Sequence, residues 1–197
     1  SELLDLNLDR NSATDIDMSY LFSRATLAIG GEYENTRAAM LYASTMVQQT
    51  ASTAGYFSGD KYFYSAQYSG AYMETHYTGV IRLLTHVISK TEGDATQANL
   101  RSAATVLRVF DLHRMTDLYG DVPYFQAGKG LEGEENWFPK YDSQREIYTA
   151  MVADLRAARD AFSESARPLG NQDFIYGGDL NKWRKFTNSL LMRIAMR

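Results

Sequence analysis

The chain contains no cysteine. Disulfides, thiol catalysis and thiolate metal sites are thereby excluded within it, while the redox compartment stays open. It has no basic face either: the formal net charge of −4 is mild, and its charges are spread along the sequence. Sequence-independent nucleic-acid binding needs Lys and Arg to neutralise phosphates, so it is disfavoured. No apolar run approaches the roughly 18 residues of a membrane-spanning helix. No signal peptide is present, and the start on Ser1 without Met is compatible with a trimmed one. Strand-like alternation is nearly absent. HExxH, a nucleophile elbow and a P-loop are all missing, so no catalytic constellation is legible and the chain is expected not to be an enzyme.

What remains is the composition of a folded protein, 45% apolar and 22% charged over 197 residues. The opening LLDLNLDRNSATDID suits an extended lead-in ending in a helix cap around Thr14. Helices are then expected over about 16–29, stopping at Gly30-Gly31, and over 35–50, where no clean apolar stripe is visible. A third is expected over 65–89 and a fourth over 96–119. The fourth is apolar on most sides, which places it in the middle of a helical stack. Gly120 suits its C-terminal end, and Val122-Pro123 forces an extended exit into a long loop, 121–142. Ser143 and Glu146 form a capping box ahead of a fifth helix striped by Ile147, Met151, Leu155, Ala158 and Phe162. Asp179 caps a sixth, in which Trp183, Phe186, Leu190 and Ile194 recur at helical spacing. That pattern stops without Gly, Asn or Pro, so the chain is expected to be the N-terminal fragment of a longer polypeptide, ending in mid-helix. The fold class expected is all-α, built as stacked helical hairpins.

Several motifs invite chemistry and resist it. Gly128 to Gly133 match G-x-G-x-x-G to the letter, yet no strand precedes them. Glu132, Glu134 and Glu135 would also repel a pyrophosphate, so a solvated loop is the better reading. His76, His86 and His113 show no i, i+4 pair. On one helix His76 and His86 would lie about 15 Å apart along the axis, too far to share a metal. Asp117, Asp121, Glu132, Glu134 and Glu135 fall near one loop in a spacing that matches no calcium loop, so solvated charge is favoured. No metal or cofactor is expected.

The aromatic residues carry more. The stretch GYFSGDKYFYSAQYSGAYMETHY, 55–77, holds eight aromatic residues, six of them tyrosine. Tyr68 and Tyr72 are i and i+4 and are expected to pack. Tyr56, Phe57, Tyr62, Phe63 and Tyr64 lie in or beside a loop with Gly55, Ser58, Gly59 and Asp60. Rings exposed beside polar groups can stack on the apolar C–H faces of sugars while neighbouring groups bond the hydroxyls. The same rings could instead fold inward or meet a protein. Trp137 is a secondary candidate, read first as a packing anchor.

Four segments resemble those of SusD/RagB-like proteins. TDLYGDVPYFQA (116–127) is similar to their LYGDVP segment, and FPKYDSQREIYTAMVADLRAA (138–158) to their P-x-Y-D-(S/T)-Q-x-x-I-Y helix start. YGGDLNKWRKFTNSLLMRIAMR (176–197) resembles their Y-x-G-D-x-x-K-W-x-K-F-x-N-S-L helix. LDLNLDRNSAT (4–14) resembles their D-x-N-x-D-P-N lead-in, with Arg10 where Pro is common. The resemblance implies a tetratricopeptide-like helical portion, 1–197, of a lipoprotein completed by a C-terminal part absent here. It implies an outward-facing position on the outer membrane, through an N-terminal lipid anchor outside this chain. It also implies delivery of oligosaccharide or another nutrient to a SusC-like TonB-dependent transporter, without cleavage. These motifs look structural and do not mark the ligand site. Ring type and loop position instead nominate Tyr56, Phe57, Tyr62 and Tyr64 as ligand-binding. The rival expectation is an adaptor stack that holds the transporter while the ligand site lies wholly in the absent part.

Overall fold

The computed structural model describes residues 16–30 and 35–197. Its regular structure consists of six helices, with no strand among the described residues. α1 spans Met18–Ile29 and is capped by Asp17, whose Oδ1 accepts from the Ser19 amide at 2.9 Å. Thr14, the expected cap, and most of the extended lead-in lie outside the described residues, as does Gly31. α1 stops at Gly30 as expected, with that residue in right-handed geometry, φ −64° and ψ −16°.

α2 is wound as a π-helix over Thr36–Ala43 and finishes with the α-turn Ser44–Met46. This explains the missing stripe, because i→i+5 bonding moves side chains off the 3.6-residue period on which a stripe is read. The helix also ends before Thr50: Gln48, at φ 59°, turns the chain away. α3 runs as Ala66–His76, a π-wound Tyr77–Ile81, and Arg82–Lys90. α4, Ala98–Tyr119, is entered through a 3-10 turn at Ala95–Gln97. Gly120, at φ 77°, ends it as expected. α5, Gln144–Ala161, opens on the Ser143–Glu146 capping box with both reciprocal bonds formed. α6, Leu180–Ala195, is capped by Asp179, whose Oδ1 accepts from the Lys182 amide at 3.0 Å.

α4 is the central element, flanked by α3 and α5, with α6 packed on α5 and α1 on α3. Its composition dictates this position: Leu100, Ala103, Val106, Leu107, Val109, Leu112 and Met115 are all buried, leaving no wide polar face. Ala103 and Ala104, both fully buried, let neighbouring helices approach closely. Under α6 lies an aromatic cluster around the fully buried Trp183, in contact with Phe22, Phe162, Tyr176 and Phe186. The indole Nε1 donates to Asp173 Oδ2 at 2.7 Å, and the backbone amides of Ile175, Tyr176 and Gly178 donate to the same carboxylate.

The long loop 121–142 is fastened at its root. An antiparallel bridge joins Val122 to Asp142, and Asp142 Oδ2 accepts from the amides of Tyr124 and Phe125 at 2.9 and 3.1 Å. Arg108, buried in α4, donates to the Tyr124 carbonyl and to Thr85 Oγ1. Thr85 Oγ1 in turn donates to the Ala127 carbonyl at 3.1 Å.

Candidate ligand-binding site

Two surfaces present aromatic rings to solvent. The first is the loop between α2 and α3. Tyr56, Tyr62 and Tyr64 are 78%, 59% and 79% exposed, so these three candidate rings point outward. Phe57 is half-buried and does a different job. Its ring lies 4.5 Å from Tyr56 and 6.0 Å from Tyr68, which is itself 6.4 Å from Tyr42. This file of rings joins the loop to α2 and α3. Tyr72 is buried, as its i, i+4 spacing suggested, whereas Tyr68 is half-buried and serves the loop.

The loop backbone is tightly held beneath these rings. Lys61 Nζ donates to the carbonyls of Gly55 and Phe57 at 2.6 and 3.1 Å, closing the turn. Asp60 Oδ2 accepts from the Ser52 amide at 3.3 Å. Gly59 is pressed against α2 so closely that a Cβ there would meet the Tyr42 carbonyl at 2.8 Å and Thr45 Oγ1 at 2.0 Å. Only glycine fits. Tyr62 takes a left-handed conformation, φ 58°, and its hydroxyl accepts from Gln48 Nε2 at 2.9 Å. That hydroxyl retains its own hydrogen for a ligand acceptor. Phe63, 67% exposed, is a fifth ring that its loop position signalled but that was not among the four nominated.

The second surface is a cleft of about 720 Å³ between α3 and the long loop. Trp137 lines it at 59% exposure, so the packing role expected for this residue is not what the fold gives it. Its Nε1 donates to the Gly130 carbonyl at 3.1 Å, which fixes the indole while leaving it open. Phe138 and Tyr141 stand beside it, 90% and 59% exposed. The π-wound part of α3 supplies Tyr77 and Thr78 to the opposite wall. Burial pushes the Tyr77 phenol well above its ordinary value, and its hydroxyl donates to the Pro123 carbonyl at 2.7 Å. Of the G-x-G-x-x-G match, Gly128 and Gly130 sit in turns of this loop and Gly133 precedes the 3-10 turn Glu134–Asn136. Gly128, at φ 77°, lies with its Cβ direction 3.0 Å from Arg82 Cα, so the loop rests directly on the helix.

His76 and His113 belong to packing. His76 Nδ1 lies 2.7 Å from Asp111 Oδ1, and its ring stacks on Tyr72 at 3.7 Å. The same Asp111 oxygen accepts from the Tyr72 hydroxyl at 2.7 Å. His113 is buried beside Tyr148 and Asp117. Burial holds its imidazole below the ordinary 6.5 against the opposing pull of Asp117, with Arg193 and Arg197 adding to the depression. Sequence reasoning missed Asp111 as a desolvated carboxylate. Its signal was an acid placed inside an otherwise apolar helix. Among the described residues no group of three or more His, Asp or Glu side chains is placed to hold a metal ion. No described helix is long and apolar enough to cross a membrane.

The comparisons with known proteins bear on this geometry. A family model for SusD-like proteins, described as starch-binding and associating with outer membrane, matches residues 10–197. A solved chitin-binding protein superposes with a TM-score of 0.81 at 28% identity, covering 91% of this chain and 38% of its own. A SusD-like protein of the Bacteroidetes gives 0.80 at 30% identity, covering 92% and 33%. A SusD homologue of Parabacteroides distasonis gives 0.75 at 26%, covering 90% and 34%. The chain thus spans about a third of the length of these structures. No curated protein sequence matches it.

Proposed function

The chain belongs to the SusD-like family, and from that premise we propose that it captures oligosaccharide at the cell surface and passes it, uncleaved, to a SusC-like TonB-dependent transporter. It works from the outer face of the outer membrane, held there by an N-terminal lipid anchor. Its helical stack is the rigid part of this device; Tyr56, Tyr62 and Tyr64 are the residues that meet the sugar, and Phe57 holds their loop against α2 and α3. One observation carries the reading: Tyr56, Tyr62 and Tyr64 are mostly exposed on a loop whose backbone is tied down by Lys61 and Asp60. Large rings left in water on an ordered scaffold are a surface prepared for a partner. A phenol suits a sugar because its face is apolar and its edge carries a hydroxyl. The chitin-binding relative supports carbohydrate as the ligand class.

The rival is an adaptor role, in which the stack holds the transporter and the tyrosines touch protein. Electrophoresis of the full chain through gels containing soluble polysaccharides separates the two. Retardation by at least one glycan, abolished by Tyr56→Ala/Tyr62→Ala/Tyr64→Ala together, is expected. Equal mobility in every gel would favour the adaptor. Release of reducing ends from any glycan by the pure protein would contradict uptake without cleavage.

A further inference from the structure

The cleft beside Trp137 is unlike the tyrosine loop in chemistry. Its walls are mainly apolar, with Met73, Ala127, Leu131 and Pro139 among them. Three planar polar side chains, Arg82, Gln126 and Asn136, interrupt those walls. Arg82 uses Nε on the Thr78 carbonyl, and its two terminal nitrogens make no hydrogen bond among the described residues. Gln126 gives its Oε1 to the Lys140 amide at 2.9 Å, so its amide nitrogen remains free to donate. The cleft is therefore mostly apolar, edged by the donors of Arg82, Gln126 and Asn136, the last of which also reaches Glu135 Oε1 at 3.4 Å, and lined by an indole whose orientation is set by Gly130. Its volume lies in the range typical of small-ligand sites.

These features choose between sugars. A plain hexose carries a hydroxyl on nearly every edge. Set against the buried side of the cleft, Met73 and Ala127, those hydroxyls would lose water without gaining partners, at about 1–3 kcal/mol each. An acetamido substituent solves that mismatch: its methyl covers apolar wall, and its planar amide presents both an acceptor and a donor to neighbouring side chains. We propose that this cleft binds the 2-acetamido group and ring of an N-acetylated sugar. The ring stacks on Trp137, the methyl lies against Leu131 and Met73, and the amide is met by Gln126 and Asn136. The π-wound turn Tyr77–Ile81 shapes the facing wall, in keeping with the frequency of such turns at binding sites. The inference rests on the carbohydrate reading above and narrows it to acetamido sugars.

The test compares chitotetraose with cellotetraose, which share a β-1,4 backbone and differ at the 2-position. Each is titrated by calorimetry into the full chain and into Trp137→Ala, Trp137→Phe and Tyr64→Ala. Chitotetraose is expected to bind at least about tenfold more tightly, from one buried methyl and one satisfied amide. Trp137→Ala weakens chitotetraose by about tenfold and removes most of the preference, and Trp137→Phe restores part of it. Tyr64→Ala weakens both glycans alike. Equal affinity for the two glycans, or chitotetraose binding untouched by Trp137→Ala, overturns this inference and leaves the carbohydrate reading standing. Binding of neither glycan overturns this inference, while retardation by another polysaccharide would still uphold the broader reading. Trp137 is largely exposed, so its variants are expected to fold, and unchanged melting curves confirm it.

Discussion

Replacing Trp183 with alanine lowers the stability of the fold by about 3–5 kcal/mol, the cost of emptying a large aromatic site in a close-packed core. Trp183 is fully buried, and its indole touches rings from α1, from the end of α5 and from α6 itself. No single neighbour can swing into the space, because Phe22 and Phe162 approach it from different elements. The loss also strips Asp173 of one of four donors, although its three backbone partners remain. Trp183→Phe keeps most of the ring contact and loses the hydrogen bond, so it should cost clearly less. Denaturant unfolding of the three proteins at one pH measures both numbers. An alanine variant within about 1 kcal/mol of the parent would mean that the cluster is not the keystone described here.

The second large effect is at Asp111. Asp111→Ala leaves the Tyr72 hydroxyl and the His76 ring nitrogen facing an apolar interior with nothing to accept from them. All three side chains are almost completely buried, so water cannot enter without disturbing α3 against α4. Each buried polar group left without its partner costs about 1–3 kcal/mol, so the two together make this one of the largest effects expected. Asp111→Asn retains one acceptor oxygen and should fall between the alanine variant and the parent. Because Tyr72 and His76 lie just ahead of the π-wound turn, amide hydrogen exchange should quicken over 72–81 in the alanine variant before it does in α5. Uniform loss of protection across the stack would show that Asp111 acts globally instead.

The helices were legible where one period governs them. α5 announces itself through the capping box at Ser143 and an unbroken stripe, and α6 through Asp179 and Trp183. α2 was blurred because π-winding over Thr36–Ala43 breaks the period that makes a helix readable, and its end came at Gln48 through a left-handed turn that no glycine marks. Loop position marked the tyrosines of 56–64, but exposure was beyond it: the same spacing does not tell that Phe57 turns in while Tyr56 and Tyr64 turn out. The Trp137 cleft was hidden for another reason. It is made by the docking of a long loop on α3, through Thr85, Arg108 and Asp142, and such a contact has no signature in local spacing.

The tyrosine loop is where the sugar is expected to rest. Calorimetric titration of Tyr56→Ala, Phe57→Ala, Tyr62→Ala and Tyr64→Ala against a polysaccharide that retards the parent tests it most directly. Loss of each exposed tyrosine is expected to cost about three- to tenfold in affinity. A loss of similar size is expected at Phe57, accompanied by a small fall in melting temperature, because that ring supports the loop from beneath. Unchanged affinity in all four folded variants would contradict this expectation and remove the loop from the site.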